Sequence, residues 1–201
     1  MKNMRIIGRV KNKIKHTLLV NKVKQSVDLT NVSLISMNCI AGVFYHDVEA
    51  RFLTPTINLF FTADDFIKFV NRLEYYLSIS PEVMMGEKYP IGQLDDIKIY
   101  FMHFNSIEDA LSKWEERKKR INPDRVFVIM VEQNGFTDQN FHDFLRIKYP
   151  KILFTRNPNH RSDNVVYYEK YKDLEELPNI IDKREFYKDM KLPQAVNKAY
   201  N

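Results

Sequence analysis

The chain has 201 residues, 44% hydrophobic and 28% charged, with only 5 Gly and 8 Pro, a balance that excludes a disordered or fibrous protein and suffices for one buried core. The single cysteine, Cys39, excludes an internal disulfide or a multi-cysteine zinc site. No run approaches the roughly 20 apolar residues of a spanning helix, and no continuous apolar run follows the basic N-terminus as a secretory signal would require, so a cytoplasmic protein is expected. The net charge is +5, yet residues 1–24 hold eight Lys or Arg and no acid; the body is therefore mildly acidic, which argues against a nucleic-acid-binding face.

Residues 1–27 read as a basic amphipathic arm. Ile7, Val10, Ile14 and Leu18 recur at helical spacing beneath Arg9, Lys11, Lys13 and Lys15, a pattern suited to an anionic membrane surface and hence to a peripheral position at the inner face of the membrane. Residues 28–201 read as one domain. A first strand is expected over 32–37 and a second over 56–61. The second leads into a helix whose N-cap Thr62 precedes Asp65, with Phe66, Phe69, Val70, Leu73 and Leu77 on one face. Pro81, Gly86, Pro90 and Gly92 mark a turn-rich stretch before a third strand over 97–102. Ser106 and Asp109 then open a helix with Ala110 and Trp114 on its apolar stripe and basic residues in its last turn, stopped by Asn122 and Pro123.

Residues 126–131 are apolar without alternation, the pattern of a strand covered on both faces. A helix over 137–147, short strands over 152–154 and 165–168, and a charged tail from about residue 171 complete the chain. Ile180, Ile181, Phe186 and Tyr187 are expected to anchor that tail. The alternation of strands with helices of crossover length specifies an α/β fold, a three-layer α/β/α sandwich around a mostly parallel, mixed sheet.

In such sheets ligands bind beyond the carboxyl ends of the strands. The residues just past the expected strands are Asn38 and Cys39, His103 and Asn105, Glu132 to Asn134, and Thr155 to Asn157 with His160. A thiol at a helix start can have its pKa lowered, and His46 or His103 could serve it as base; the competing reading of Cys39 is a small buried hydrophobe. His46 and Asp47 are adjacent and so point apart on a helix, although either could act alone. Arg51 and Arg156 suit an anionic group, or a structural clamp. Trp114 is a core residue by spacing, despite the bases around it. The chain has no phosphate loop, dinucleotide fingerprint, nucleophile elbow, zinc-binding His pair or Asp-x-Asp triplet, so no metal is expected and no cofactor is indicated.

The string Ile35-Ser-Met-Asn-Cys-Ile-Ala-Gly42, followed by Tyr45-His-Asp47, Arg51-Phe52, Thr54-Pro-Thr-Ile-Asn-Leu-Phe-Phe61 and Asp65-Phe66, resembles a bacterial family of unassigned function labelled exopolysaccharide biosynthesis proteins. Tyr89-Pro-Ile-Gly92, the run from Lys113 to Ile121 and residues 126–130 continue the resemblance in the same order. That family writes Asn and Gly where this chain has Met37 and Ala41, which leaves Asn38, Cys39 and Gly42 as the matching positions. The resemblance implies an α/β fold and a place in exopolysaccharide or capsule synthesis.

Together these readings give a cytoplasmic transferase, adding an acyl or similar small group to a saccharide precursor, with an activated donor and a saccharide or lipid-linked saccharide as partners. Cys39, His46 and Asp47 are the expected catalytic residues. Asn38, Arg51, His103, Asn105 and Arg156 are expected to bind substrate. A metal-independent glycosyltransferase and a non-catalytic carbohydrate-binding or scaffold module are the alternatives.

Overall fold

The structure is a computed structural model that describes residues 2–200, with side chains described from Ile14 onward. Four parallel strands, β1 (Ser33–Ser36), β5 (Val126–Val131), β6 (Lys151–Thr155) and β7 (Val165–Tyr167), form the central sheet in that spatial order. Alternation along these strands sends side chains to opposite faces. Ile35, Val128, Met130 and Leu153 enter one core, with Phe66 and Phe69 of α3 (Ala63–Asn71), Ala110 and Trp114 of α5 (Ile107–Lys118), and Phe141 and Phe144 of α6 (Asp138–Arg146). Leu34, Phe127, Ile129 and Phe154 enter the other. That second core is closed by Ile40 and Phe44 of α2 (Ile40–Asp47), Val23 of α1 (Lys2–Ser26), and Leu192 and Val196 of α7 (Lys191–Tyr200). The result is the expected α/β sandwich with helices on both faces.

The helix starts follow the capping residues. Thr62 accepts from the Asp65 amide at 3.3 Å and Ser106 from that of Asp109 at 3.1 Å, while Thr137 and Asn140 form a reciprocal capping box. The helix expected to run to Leu77 breaks at Arg72 (φ −125°, ψ 37°), and α4 (Leu73–Ser78) follows.

Two expectations about strands are corrected. The stretch around Pro90 and Gly92 forms strands rather than turns: β2 (Glu82–Met85), β3 (Pro90–Leu94) and β4 (Ile97–Tyr100) make a separate antiparallel sheet, so the parallel and antiparallel pairings occupy two sheets and not one mixed sheet. Pro90, Gly92 and Leu94 face inward by period two, and Phe101 and Pro81 would stand 3.0 and 3.1 Å from a Cβ at Gly92, so a larger residue there would have to push these neighbours aside. Residues 56–61 form no strand. Asn58 turns into the left-handed region (φ 65°), and only Phe60 makes a bridge, to Tyr100. This segment and α2 instead cover the free edge of β1 with side chains: Leu34 N–H donates to Tyr45 Oη at 2.9 Å and Ser36 N–H to Thr56 Oγ1 at 3.1 Å. An edge strand so occupied cannot pair with another chain.

Among the described residues no helix is long and apolar enough to cross a membrane.

Candidate functional site

The chain leaves β1 toward one face of the sheet, into α2, and leaves the adjacent β5 toward the other, into α6. Adjacent parallel strands whose connections diverge leave a crevice beyond their carboxyl ends. A cleft of about 630 Å³ lies there. Asn38 and Cys39 reach it from the end of β1, and Gln133 and Asn134 from the end of β5.

One wall is the irregular segment carrying Phe52, Ile57, Asn58 and Phe60, together with Met102 and His103, which follow β4. His103 N–H donates to Asn58 O at 3.3 Å, and the rings of Phe60 and Tyr100 stack 4.6 Å apart, so the two loops are held together. The opposite wall is the tail segment Asn179, Ile180, Ile181 and Asp182. Three bonds tie that tail to the end of β5: Leu177 N–H to Glu132 O at 2.9 Å, Gln133 Nε2 to Leu177 O at 2.7 Å and Asn134 N–H to Glu176 Oε2 at 3.1 Å.

Asn38 is buried and committed. Its Nδ2 donates to Gln133 Oε1 at 3.1 Å, and its Oδ1 accepts from Ile40 N–H at 3.1 Å, occupying the first amide of α2. Cys39 is the N-cap of α2. A helix start favours a thiolate, but burial dominates here and pushes the thiol up to about 11, against a smaller opposing backbone contact at Asn58. Its Sγ lies 4.0 Å from Leu59 O, and no imidazole is bonded to it. At neutral pH Cys39 is a protonated thiol.

His46 also lines the cleft, with a side chain 81% exposed. Its Nδ1 stands 3.7 Å from Asp47 Oδ1, too far for a hydrogen bond, because neighbouring helix residues diverge by about 100°. Asp47 turns away from the cleft. Arg184 holds it bidentately, Nε to Oδ2 at 2.5 Å and Nη2 to Oδ1 at 2.9 Å, and Tyr187 Oη donates to it at 3.0 Å. The carboxylate raises the Arg184 pKa in turn.

Of the eight residues proposed from sequence, Asn38, Cys39, His46 and His103 meet in one cleft, while Asp47, Arg51, Asn105 and Arg156 lie outside it. Arg51 is exposed beside Val27 to Asn31, because α2 carries the chain about 12 Å back along the sheet before it. Asn105 is exposed just before α5. Arg156 is a clamp. It stands 3.3 Å from the buried Glu132 and donates to Lys172 O at 3.3 Å and Glu175 O at 2.8 Å, fastening the tail. The tail residues Asn179 and Asp182 carried no strand-end signal. Their nearest trace in the sequence is the neighbouring Ile180, a buried anchor.

Chemically the cleft is amide-rich, aromatic and nearly uncharged. None of its described lining residues is Lys or Arg, and Asp182 is the one carboxylate among them. Among the described residues no three His, Cys, Asp or Glu side chains stand together as a metal site.

Comparison with known proteins places the chain beside sequences without an assigned chemistry. Residues 10–198 match the domain of unknown function DUF1919. An uncharacterized protein of Haemophilus influenzae (strain ATCC 51907 / DSM 11121 / KW20 / Rd) is 29% identical over 158 residues, covering 77% of each chain.

Proposed function

Since the chain belongs to the DUF1919 family, whose description carries no chemistry, we propose a function from the cleft itself: it binds a neutral, hydroxyl-rich ligand of the saccharide class, in the service of bacterial exopolysaccharide or capsule synthesis. The observation that carries this reading is the lining. Asn58 offers a side-chain donor and acceptor, Asn134 its Oδ1 as acceptor and Asn179 its Nδ2 as donor, to match sugar hydroxyls, while Gln133 is engaged by Asn38 and Leu177; Phe52 and Phe60 offer apolar area for the carbon face of a ring. A phosphate or carboxylate would want a guanidinium or ammonium, and the described lining supplies none. The resemblance of residues 35–66 to proteins labelled for exopolysaccharide biosynthesis supplies the biological setting.

Two solvent-open imidazoles favour a second, catalytic reading: a transferase that moves an acyl or similar small group from an activated donor to a saccharide hydroxyl. In it His46 or His103 takes the proton from the acceptor oxygen. Cys39 has no part as a thiolate carrier in this version. The test is polysaccharide analysis of a deletion strain complemented with wild type, His46→Ala or His103→Ala. Acyl groups lost from an intact backbone support acyl transfer, a truncated repeat supports glycosyl transfer, and reduced yield of unchanged polymer supports binding without turnover. Polymer unchanged in both amount and composition in the deletion strain contradicts any role in its synthesis.

A further inference from the structure

We infer that α1 is an interfacial helix that docks the protein on an anionic membrane surface, a role independent of what the cleft binds. Among its described side chains, from Ile14 onward, the helix attaches to the domain by one side. Val23 is fully buried and Leu19 packs partly buried beside it in the second core. His16, Thr17 and Val20 line a groove against Tyr45, Ala50 and Phe52. At about 100° per residue, Leu19 and Val23 lie about 100° and 140° around the helix from Leu18, whereas Ile14 lies only about 40° from it.

Ile14 and Leu18 therefore share the side turned away from the domain, and they are 53% and 63% exposed. Ile7 and Val10, whose side chains lie outside the described residues, repeat the same spacing in the sequence. Lys15 and Lys22, both exposed, flank this stripe on one side, about 60° and 40° from Leu18. Single exposed apolar residues are ordinary. An exposed apolar stripe bordered by lysines, within a segment of eight bases and no acid, is the pattern of a helix lying in the plane of an interface. Charge selects the occupant, because a second copy docking through this face would bring Lys15 and Lys22, in a segment rich in bases and without an acid, against like charges, whereas anionic lipid complements them.

The test is sedimentation of the full chain with phosphatidylcholine vesicles containing about 30% phosphatidylglycerol, against pure phosphatidylcholine, at low and high salt. Binding is expected on the anionic vesicles at low salt, with at least a tenfold loss on neutral vesicles and at high salt. Lys15→Gln with Lys22→Gln should weaken it about 30-fold, since each base near the surface contributes roughly 1 kcal/mol. Ile14→Asp with Leu18→Asp should abolish it. Both positions are exposed, and an unchanged circular dichroism spectrum checks that the fold is retained. As a second readout, Leu18→Trp should shift its emission to the blue on anionic vesicles. Protein that stays in the supernatant at low salt, a double Asp variant that binds as wild type, or a Leu18→Trp variant whose emission does not move would each overturn the inference. So would a concentration-dependent dimer abolished by Leu18→Asp, which would assign the stripe to a second copy.

Discussion

The Cys39 thiol stands where two effects oppose each other. The start of α2 favours its anion, while burial favours the neutral form and prevails, from 9.0 to about 11. Two units correspond to about 100-fold less thiolate near pH 8 than in an ordinary cysteine. Alkylation by iodoacetamide at pH 8 should therefore be about 100-fold slower in the native protein than after denaturation in urea; comparable rates would restore Cys39 as a candidate nucleophile. The sign for stability follows from proton binding. Between pH 9 and 11 the unfolded chain has lost this proton and the folded chain retains it, so stability falls as pH rises through that window. Cys39→Ala should lessen the fall, which urea midpoints at pH 8 and pH 10.5 would measure. Asp47 is a different kind of residue, buried and bidentate to Arg184, with its chemistry spent on holding α2 to the tail. Asp47→Asn leaves Arg184 without its counter-charge and should destabilise the fold by about 3 to 5 kcal/mol. A near-neutral urea midpoint for that variant would return Asp47 to the list of functional carboxylates.

Among the elements, α5 fastens the antiparallel sheet to the body through Trp114. The ring is fully buried between Phe69, 6.1 Å away, and Phe101, 6.4 Å away and perpendicular. Trp114→Ala should cost about 3 to 5 kcal/mol, visible as a lowered thermal midpoint. At Gly92 a methyl group would press on Phe101 and Pro81, and Gly92→Ala should cost about 1 to 3 kcal/mol. Trp114 was legible in the sequence from its helical spacing, and so was β5, whose unbroken apolar run reflects burial on both faces. Gly92 was not legible. Glycine and proline read as breakers, yet Gly92 sits in β3 for want of space and Pro90 at its first residue, where Phe101 N–H donates to the Pro90 carbonyl. Residues 56–61 misled in the opposite direction. Their apolar spacing suits a strand, but Asn58 turns left-handed, and the Thr56 hydroxyl, bonded to that of Thr54, takes the Ser36 N–H at the edge of β1.

For the whole molecule, the divergence of the chain after β1 and β5 determines where a ligand can sit. The strand-end rule located Asn38, Cys39 and His103 because each follows its strand by three residues or fewer. It could not locate Asn179 and Asp182, which come from a tail more than 40 residues beyond β5 and are brought to the cleft by tertiary contacts, among them the bonds from Leu177 to Glu132 and Gln133 and the Arg156 clamp. What that assembled wall recognises is the central claim, and it can be tested without knowing the reaction. The direct measurement is a nuclear magnetic resonance titration of the full chain with a panel of neutral oligosaccharides, and in parallel with inorganic phosphate and a sugar nucleotide. The Met102 methyl group and the His46 and His103 imidazoles serve as reporters on the cleft. The account predicts saturable shifts of these signals with at least one neutral saccharide and no displacement of it by phosphate. Signals that stay still with every neutral saccharide, yet move saturably with phosphate or the sugar nucleotide, would contradict it.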